Sequence, residues 1–270
     1  MTDAAKRAEI KRYLNRFTWG HVLSITKESP VFGSIKRDGM SRPHFHNCGR
    51  ERYRIASLFK TSLEATIRRC EQDGFHVVAA VVQKNLIDEL GESNDPTYGG
   101  SAPESHERAR IKCYAAIGLT PESLRTGASS TLTGSALALG VAQTLVTWGT
   151  TLELIGALLA LELFVAHEFK MLRESLFQAF AENFLDADGD DDATLEQKRQ
   201  ARLYIDDHIW HDLQRHYPAL LEAVVDLILE DESRLLQIES GIMMLIMSRQ
   251  HFYTGLGKQF GIIEVADDIL

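Results

Sequence analysis

Proline is scarce in this chain, six among 270 residues, so few positions are barred from a helix interior. Long stretches rich in Ala, Leu and Glu then favour helices. No strand pattern of note and no internal repeat breaks that reading, which argues for an all-α bundle. Cysteine is scarcer still. Cys48, Cys70 and Cys113 are an odd number without a Cys-x-x-Cys pair, which excludes a disulfide framework and suggests reduced thiols. No Lys/Arg tract occurs and the net charge is −9, so the electrostatic footprint of a nucleic-acid-binding protein is missing. The segment Met1 to Glu9 lacks the apolar core of a secretory signal, and a cytoplasmic location is expected. The most apolar region, Gly134 to Phe169, is interrupted by Gln143, Glu153, Glu162, His167 and Glu168. A membrane span wants roughly 20 residues with almost no charge, so this region reads as buried helix in a soluble bundle.

Familiar catalytic motifs are absent too. Ser129-Ser130 lacks a Gly-x-Ser-x-Gly elbow, and Gly255-Leu-Gly257 has neither the strand nor the further glycines of a phosphate loop. His44-x-His46 near Cys48 has no second Cys/His pair at zinc spacing.

What is present is a succession of helical patterns. Residues 4–26 form the first, with Leu14, Phe17, Val22 and Ile25 on its apolar positions. Pro30 to Gly49, with Gly33, Gly39 and Pro43, reads as a loop or broken segment. A helix is predicted from about Arg50 to Arg69, with Ile55, Leu58, Phe59, Leu63 and Ile67 as its apolar face. Another runs from Phe75 to Leu90. Gly91 to Pro103 is dense in turn formers. A further helix opens near Ser105 and stops at Gly118, and Pro121 starts a short one. A long helix or helix pair occupies 134–184, an acidic loop follows at 186–192, and helices are expected over 194–215, on to about 230 past Pro218, and over 233–255. The expected organisation is one globular domain, with a helix and loop over 1–49 packing on a bundle formed by 50–270.

The helix carrying Tyr204 to His216 places His208, Asp212 and His216 four residues apart. Successive members rotate by roughly 40°, so all three fall within a stripe of roughly 80°. Two imidazoles and a carboxylate are ligand types for iron, manganese or zinc, although charged residues at this spacing also occur on solvated faces. From i to i+8 an ideal helix rises about 12 Å, which is long for one dimetal centre. A local distortion such as a π-bulge is therefore predicted within 206–218. Glu162, flanked by Leu-Leu-Ala-Leu and Leu-Phe-Val, would be costly to bury unless paired or metal-bound. Glu89 ends its helix before the glycine-rich loop, and His106 opens the next helix. A hairpin of helices can bring those two together.

These segments carry a resemblance. Asn85-Leu-Ile-Asp-Glu89-Leu-Gly91, followed by a His-bearing helix ending Ala-Ile-Gly118-Leu, resembles the signature of heme-oxygenase-like diiron oxidases. That family also has a Glu on a later apolar helix, as at Glu162, and a closing His-x3-Asp-x2-3-His helix, matched by His208, Asp212 and His216. The resemblance spans roughly 50–255 with the segments in the family's order. Many members space the last pair Asp-x2-His, which would put Arg215 at the ligand position; this chain has the Asp-x3-His variant. Its loop between Glu89 and His106 is longer than in compact members.

The resemblance implies an all-α, heme-oxygenase-like bundle of about seven helices holding two Fe2+ ions, with O2 as cosubstrate and an external electron donor. The implied ligands are Glu89, His106, Glu162, His208, Asp212 and His216, with Glu64 as an extra carboxylate. Glu89, His106 and either His208 or His216 would supply one iron, and Asp212 with the remaining His the other, Glu162 bridging or capping. Outcomes known in the family are N-oxygenation, carbon–carbon cleavage and desaturation, in natural-product pathways. An amino-acid-like substrate is favoured on the polar residues Gln143, Glu153 and Tyr204. Expected partners are a small-molecule substrate, a reductase or small reductant, and a second copy of the chain in a homodimer; neither nucleic acid nor membrane is expected. The alternative reading is a metal-free helical small-molecule-binding protein of the same fold.

Overall fold

The computed structural model describes residues 2–93, 105–126 and 133–263. All regular structure among them is helical: α1 (Asp3–Glu28), α2 (Pro30–Asp38), α3 (Arg42–Ala56), α4 (Phe59–Gln72), α5 (His76–Leu90), α6 (His106–Ala116), α7 (Pro121–Thr126), α8 (Thr133–Trp148), α9 (Thr151–Ala179), α10 (Ala181–Phe184), α11 (Asp192–His211), α12 (Tyr217–Glu230) and α13 (Leu235–Gln259). A π-helical turn, Asp212–His216, joins α11 to α12, and a 3-10 turn, Glu232–Arg234, precedes α13. The all-α class read from the sequence holds. Most of the glycine-rich stretch before His106 lies outside the described residues.

Local chemistry sets the boundaries. The side chains of Thr2, Ser41, Ser105, Thr150 and Asp191 accept from backbone N–H groups of the helices that follow them, satisfying donors that a helix start leaves open. At Thr150 the cap is reciprocal, since the Glu153 carboxylate accepts from the Thr150 N–H. Gly91 adopts φ 72°, a left-handed stop for α5.

Two expectations are corrected here. The segment 30–49 is mostly helical, because Pro30 and Pro43 stand in the first turn of α2 and α3. There the missing N–H costs nothing and the fixed φ suits a helix. The helix expected over 50–69 is in fact two, since α3 ends at Ala56 and α4 begins at Phe59. Such breaks divide the chain into more helical segments than the seven or so anticipated.

The core is organised around α9. From Leu154 to Ala160 every residue of it is buried, as expected of a helix covered on all sides. It contacts α1, α4, α11, α12 and α13. Against α13 the two backbones meet at a pair of glycines: a Cβ on Gly156 would strike the Ile238 carbonyl, and one on Gly241 the Glu153 carbonyl. Leu14, Val22, Leu159, Phe164, Val224 and Phe252 are fully buried in the same core. Each contributes about 1.5–3 kcal/mol of apolar transfer. Among the described residues no helix is long and apolar enough to cross a membrane. Helix α6 packs on α5 and α11, and α11 also packs on α9, so these four surround one interior region.

Candidate metal centre

The turn after α11 shapes the site. Tyr217 N–H donates to the Asp212 carbonyl, five residues back, where an α-helix would use four. Pro218, in the first turn of α12, offers no N–H to the carbonyl of Gln214, so the regular ladder cannot pass through this point. The wider turn lies in the segment where the span argument calls for a distortion. It leaves Asp212 Oδ1 3.2 Å from His216 Nδ1.

Six side chains fall into two groups. In one, Glu89 from the end of α5, His106 from the first turn of α6 and His208 from α11 each offer a ligand atom, all within 4.8 Å of one another. Glu89 Oε1 is 2.7 Å from His106 Nδ1 and 3.9 Å from His208 Nε2. In the other, Glu162 from α9 joins Asp212 and His216 within the same limit, with Glu162 Oε2 3.5 Å from His216 Nδ1. Of the two His residues that could partner Glu89 and His106, distance selects His208. All but the half-buried Glu89 are buried.

The surroundings fix how several of these groups point. His208 Nδ1 donates to the Tyr204 carbonyl at 2.7 Å, which leaves Nε2 as the acceptor facing Glu89. Asn85 Nδ2 donates to Glu162 Oε1 at 3.1 Å. His216 Nε2 lies 3.2 Å from Asp88 Oδ2, on the side of the ring away from Asp212 and Glu162. A ring nitrogen held by a carboxylate while the other faces a metal position is the usual outer support of a metal-bound His.

Charge and burial compete within the cluster. Burial alone would raise the Glu89 carboxyl, but His106 and, at longer range, His208 and His216 pull it down to about 2. Burial lowers His106, yet Glu89 more than reverses this and the ring is raised. His216 behaves likewise, lifted well above its ordinary value by Asp212, Asp88 and Glu162. His208, desolvated beside His106, falls to about 3. Asp212 rises to about 7 through burial, with the neighbouring Glu162 adding to it. Burial and pairing thus push neighbouring groups of the metal-free cluster in opposite directions.

Asp88 and Asp207 were not singled out by their sequence. Asp88 is 1% exposed; its position three residues after Asn85 and one before Glu89 sets all three on one face of α5, a signal that could have found it. His211 and Asp207 form a third close group with His106. Other expectations are corrected. Glu64 is exposed on α4, paired with Lys60 at 3.7 Å, and belongs to none of the three groups. Gln143 is exposed and Glu153 caps α9, so of the polar residues behind the amino-acid preference only Tyr204 lines the cavity described next. His167 lies against Thr26 and Trp19, and His46 bonds to the Ile117 carbonyl.

A cavity of about 310 Å³ opens onto both groups, with Glu89, His106, Glu162, His208 and Asp212 in its wall. That volume is at the small end for pockets that enclose organic ligands. Most of the remaining wall is apolar, including Val141, Leu145, Leu158, Leu161, Val165 and Leu245.

No family model matches the sequence, and no curated protein matches it significantly. Its fold is similar to two crystal structures of a CADD-like protein of unknown function from Nostoc punctiforme PCC 73102. One is 17% identical with a TM-score of 0.66, covering 92% of this chain and 98% of that one. The other is 16% identical with a TM-score of 0.68, covering 98% of this chain and 99% of that one. At such identities the likeness speaks for the fold, which extends over nearly the whole chain.

Proposed function

We propose that this protein is an O2-dependent non-heme diiron oxidase that oxidises a small organic substrate, by N-oxygenation, carbon–carbon cleavage or desaturation, in natural-product metabolism. The observation that carries the reading is the pair of adjacent, buried His/carboxylate groups opening onto one apolar cavity.

The donor set fits iron. Three imidazoles and three carboxylates, with no thiolate among them, suit an N/O-binding divalent metal; the three cysteines are buried and belong to none of these groups. Asp88 Oδ1, buried beside His216, has no hydrogen-bond partner. So many ionisable groups in one dry pocket are costly unless neutralised, and two divalent cations would do that. Glu89, His106 and His208 would hold one ion, and Glu162, Asp212 and His216 the other. When bound, a ferrous pair supplies electrons to O2, with an external donor restoring the reduced state.

The chain's own residues do the rest. Asn85 aims Glu162, Tyr204 fixes the tautomer of His208, and Asp88 orients His216 as a positioning residue. The apolar wall from α8, α9 and α13 excludes water from the chamber and packs against the substrate, which protects reactive species from side reactions. The test is an anaerobic Fe(II) titration of metal-free protein followed by exposure to oxygen, read optically and by Mössbauer spectroscopy. Two irons per chain, magnetically coupled after oxygen, are expected. No iron uptake would overturn the reading and leave a helical binding protein.

A further inference from the structure

Among the described residues two cations in the cavity wall, Arg110 and Arg249, form no ion pair, and Arg249 is the more deeply buried of the two. Arg249, on α13, is 8% exposed, and its Nε has no hydrogen-bond partner. Its guanidinium carbon stands 5.5 Å from the ring centre of Phe164, two residues beyond Glu162 on α9. Lys198, the other fully buried cation among the described residues, is paired with Asp190 and with the Leu185 carbonyl. The carboxylate best placed to serve Arg249 is already engaged: Glu168 pairs with Arg52 and accepts from the Tyr253 hydroxyl. Arg249 thus feels the Glu168 charge only at a distance, while Arg52 holds the direct contact. Burial accordingly lowers the Arg249 pKa, and Arg52 lowers it further against the pull of Glu168. A desolvated, unpaired charge is among the more expensive things a core can hold, and this one lines a cavity.

We propose that Arg249 is the anchor for the anionic group of the substrate, and that the substrate is an amphipathic organic anion whose apolar body lies along the Leu and Val wall. This rests on reading the cavity as the oxidase chamber. The guanidinium fork matches a carboxylate's two oxygens. The wall is poorly suited to an added ammonium group. Its carboxylates are those assigned to metal plus Glu107, which is exposed. The anion preference therefore replaces the amino-acid preference with a simpler requirement, one negative charge and an apolar chain.

The experiment uses metal-free protein and calorimetric titration with octanoate, octanol and the α-amino derivative of octanoate. Octanoate is expected to bind roughly ten- to hundred-fold more tightly than octanol, the worth of a hydrogen-bonded charge pair, and more tightly than the α-amino compound. Arg249→Met should erase the preference for octanoate, keep the affinity for octanol and raise the thermal midpoint, since the unpaired charge is gone. Arg249→Lys, a milder change, should keep only part of the preference. Equal binding of octanoate and octanol by the wild type overturns the proposal however the variants fold, as does a preference that survives Arg249→Met. Tighter binding of the α-amino compound overturns the substrate class. Iron per chain is counted separately. A protein that binds no iron yet prefers octanoate keeps the anion site and loses the oxidase, and one that takes two irons without the preference does the reverse.

Discussion

His216 is approached by three carboxylates, with Asp212 and Glu162 at Nδ1 and Asp88 at Nε2. With both nitrogens facing acids, the metal-free ring keeps its proton at neutral pH, and Glu89 raises His106 in the same direction. Asp212, raised to about 7, is partly protonated there as well. A divalent ion needs the lone pairs these protons occupy, so binding releases them and competes with them. The sign follows: lowering the pH fills the sites with protons and weakens binding, and raising it strengthens binding. Titration with Fe(II) at about pH 6 and about pH 8 should show affinity rising about ten-fold per pH unit for each proton displaced. A flat profile would place the metal elsewhere. Asp88→Asn removes the charge that holds the far side of His216 and is expected to weaken the Glu162/Asp212/His216 site roughly ten- to hundred-fold. Glu64→Gln should leave iron per chain unchanged. His208, Asp212 and His216 were legible from helical spacing and Glu162 from its apolar flanks, whereas Glu89 and His106 rested on the family resemblance. Asp88 was overshadowed by its neighbour Glu89, and Arg249 could not be found because nothing in a sequence reports which cation lacks an anion.

At the scale of elements, one departure from ideal helix geometry and one close helix crossing shape the region. The π turn at Asp212–His216 was expected from length alone, because an ideal helix separates i and i+8 too far, and Pro218 supplies a local cause. The glycine crossing of α9 and α13 is the other. It sets the depth at which Glu162, six residues beyond Gly156, meets the centre, and sets Arg249, eight residues beyond Gly241, near Phe164. Both added methyl groups would meet backbone carbonyls, which unlike side-chain tips cannot swing aside. Gly241→Ala is therefore expected to cost about 1–3 kcal/mol or more as the helices are pushed apart, measured as a lowered denaturant midpoint. A neutral result would mean that the two helices are not in such close contact. Helix identity was readable from apolar spacing over most of the chain. The segment 30–49 was not, because proline and glycine mark a helix start as well as a loop, and only the residues that follow decide which. The break at Ser57–Leu58 was hidden by an apolar pattern that runs on through it.

For the whole molecule, the question is what holds four helices around a pocket full of ionisable groups. The hydrophobic core supplies the frame, with fully buried side chains from α1, α2, α4, α9, α12 and α13. The centre itself gathers residues far apart in the chain, Glu89 from α5 and His216 from the end of the π turn. In metal-free protein their attraction is bought with shared protons and desolvation, an arrangement that contributes little net stability. Metal ions would convert the same contacts into strong ones, because an ion that binds only the folded chain stabilises it by mass action. With free Fe(II) at a hundred times its dissociation constant, each site adds about 2.7 kcal/mol. At roughly 2–4 °C for each kcal/mol in a chain approaching this length, one filled site should raise the thermal midpoint by roughly 5–10 °C under anaerobic conditions. A second filled site should raise it further, and a chelator should reverse both shifts. His208→Ala should lose the part belonging to the Glu89/His106 site while keeping the other, which assigns each increment to one group of ligands. An unchanged midpoint at saturating Fe(II) would mean that the six side chains do not close on metal in the folded protein, and the pairing of Glu89 with His106 and His208 would then be a purely protonic network.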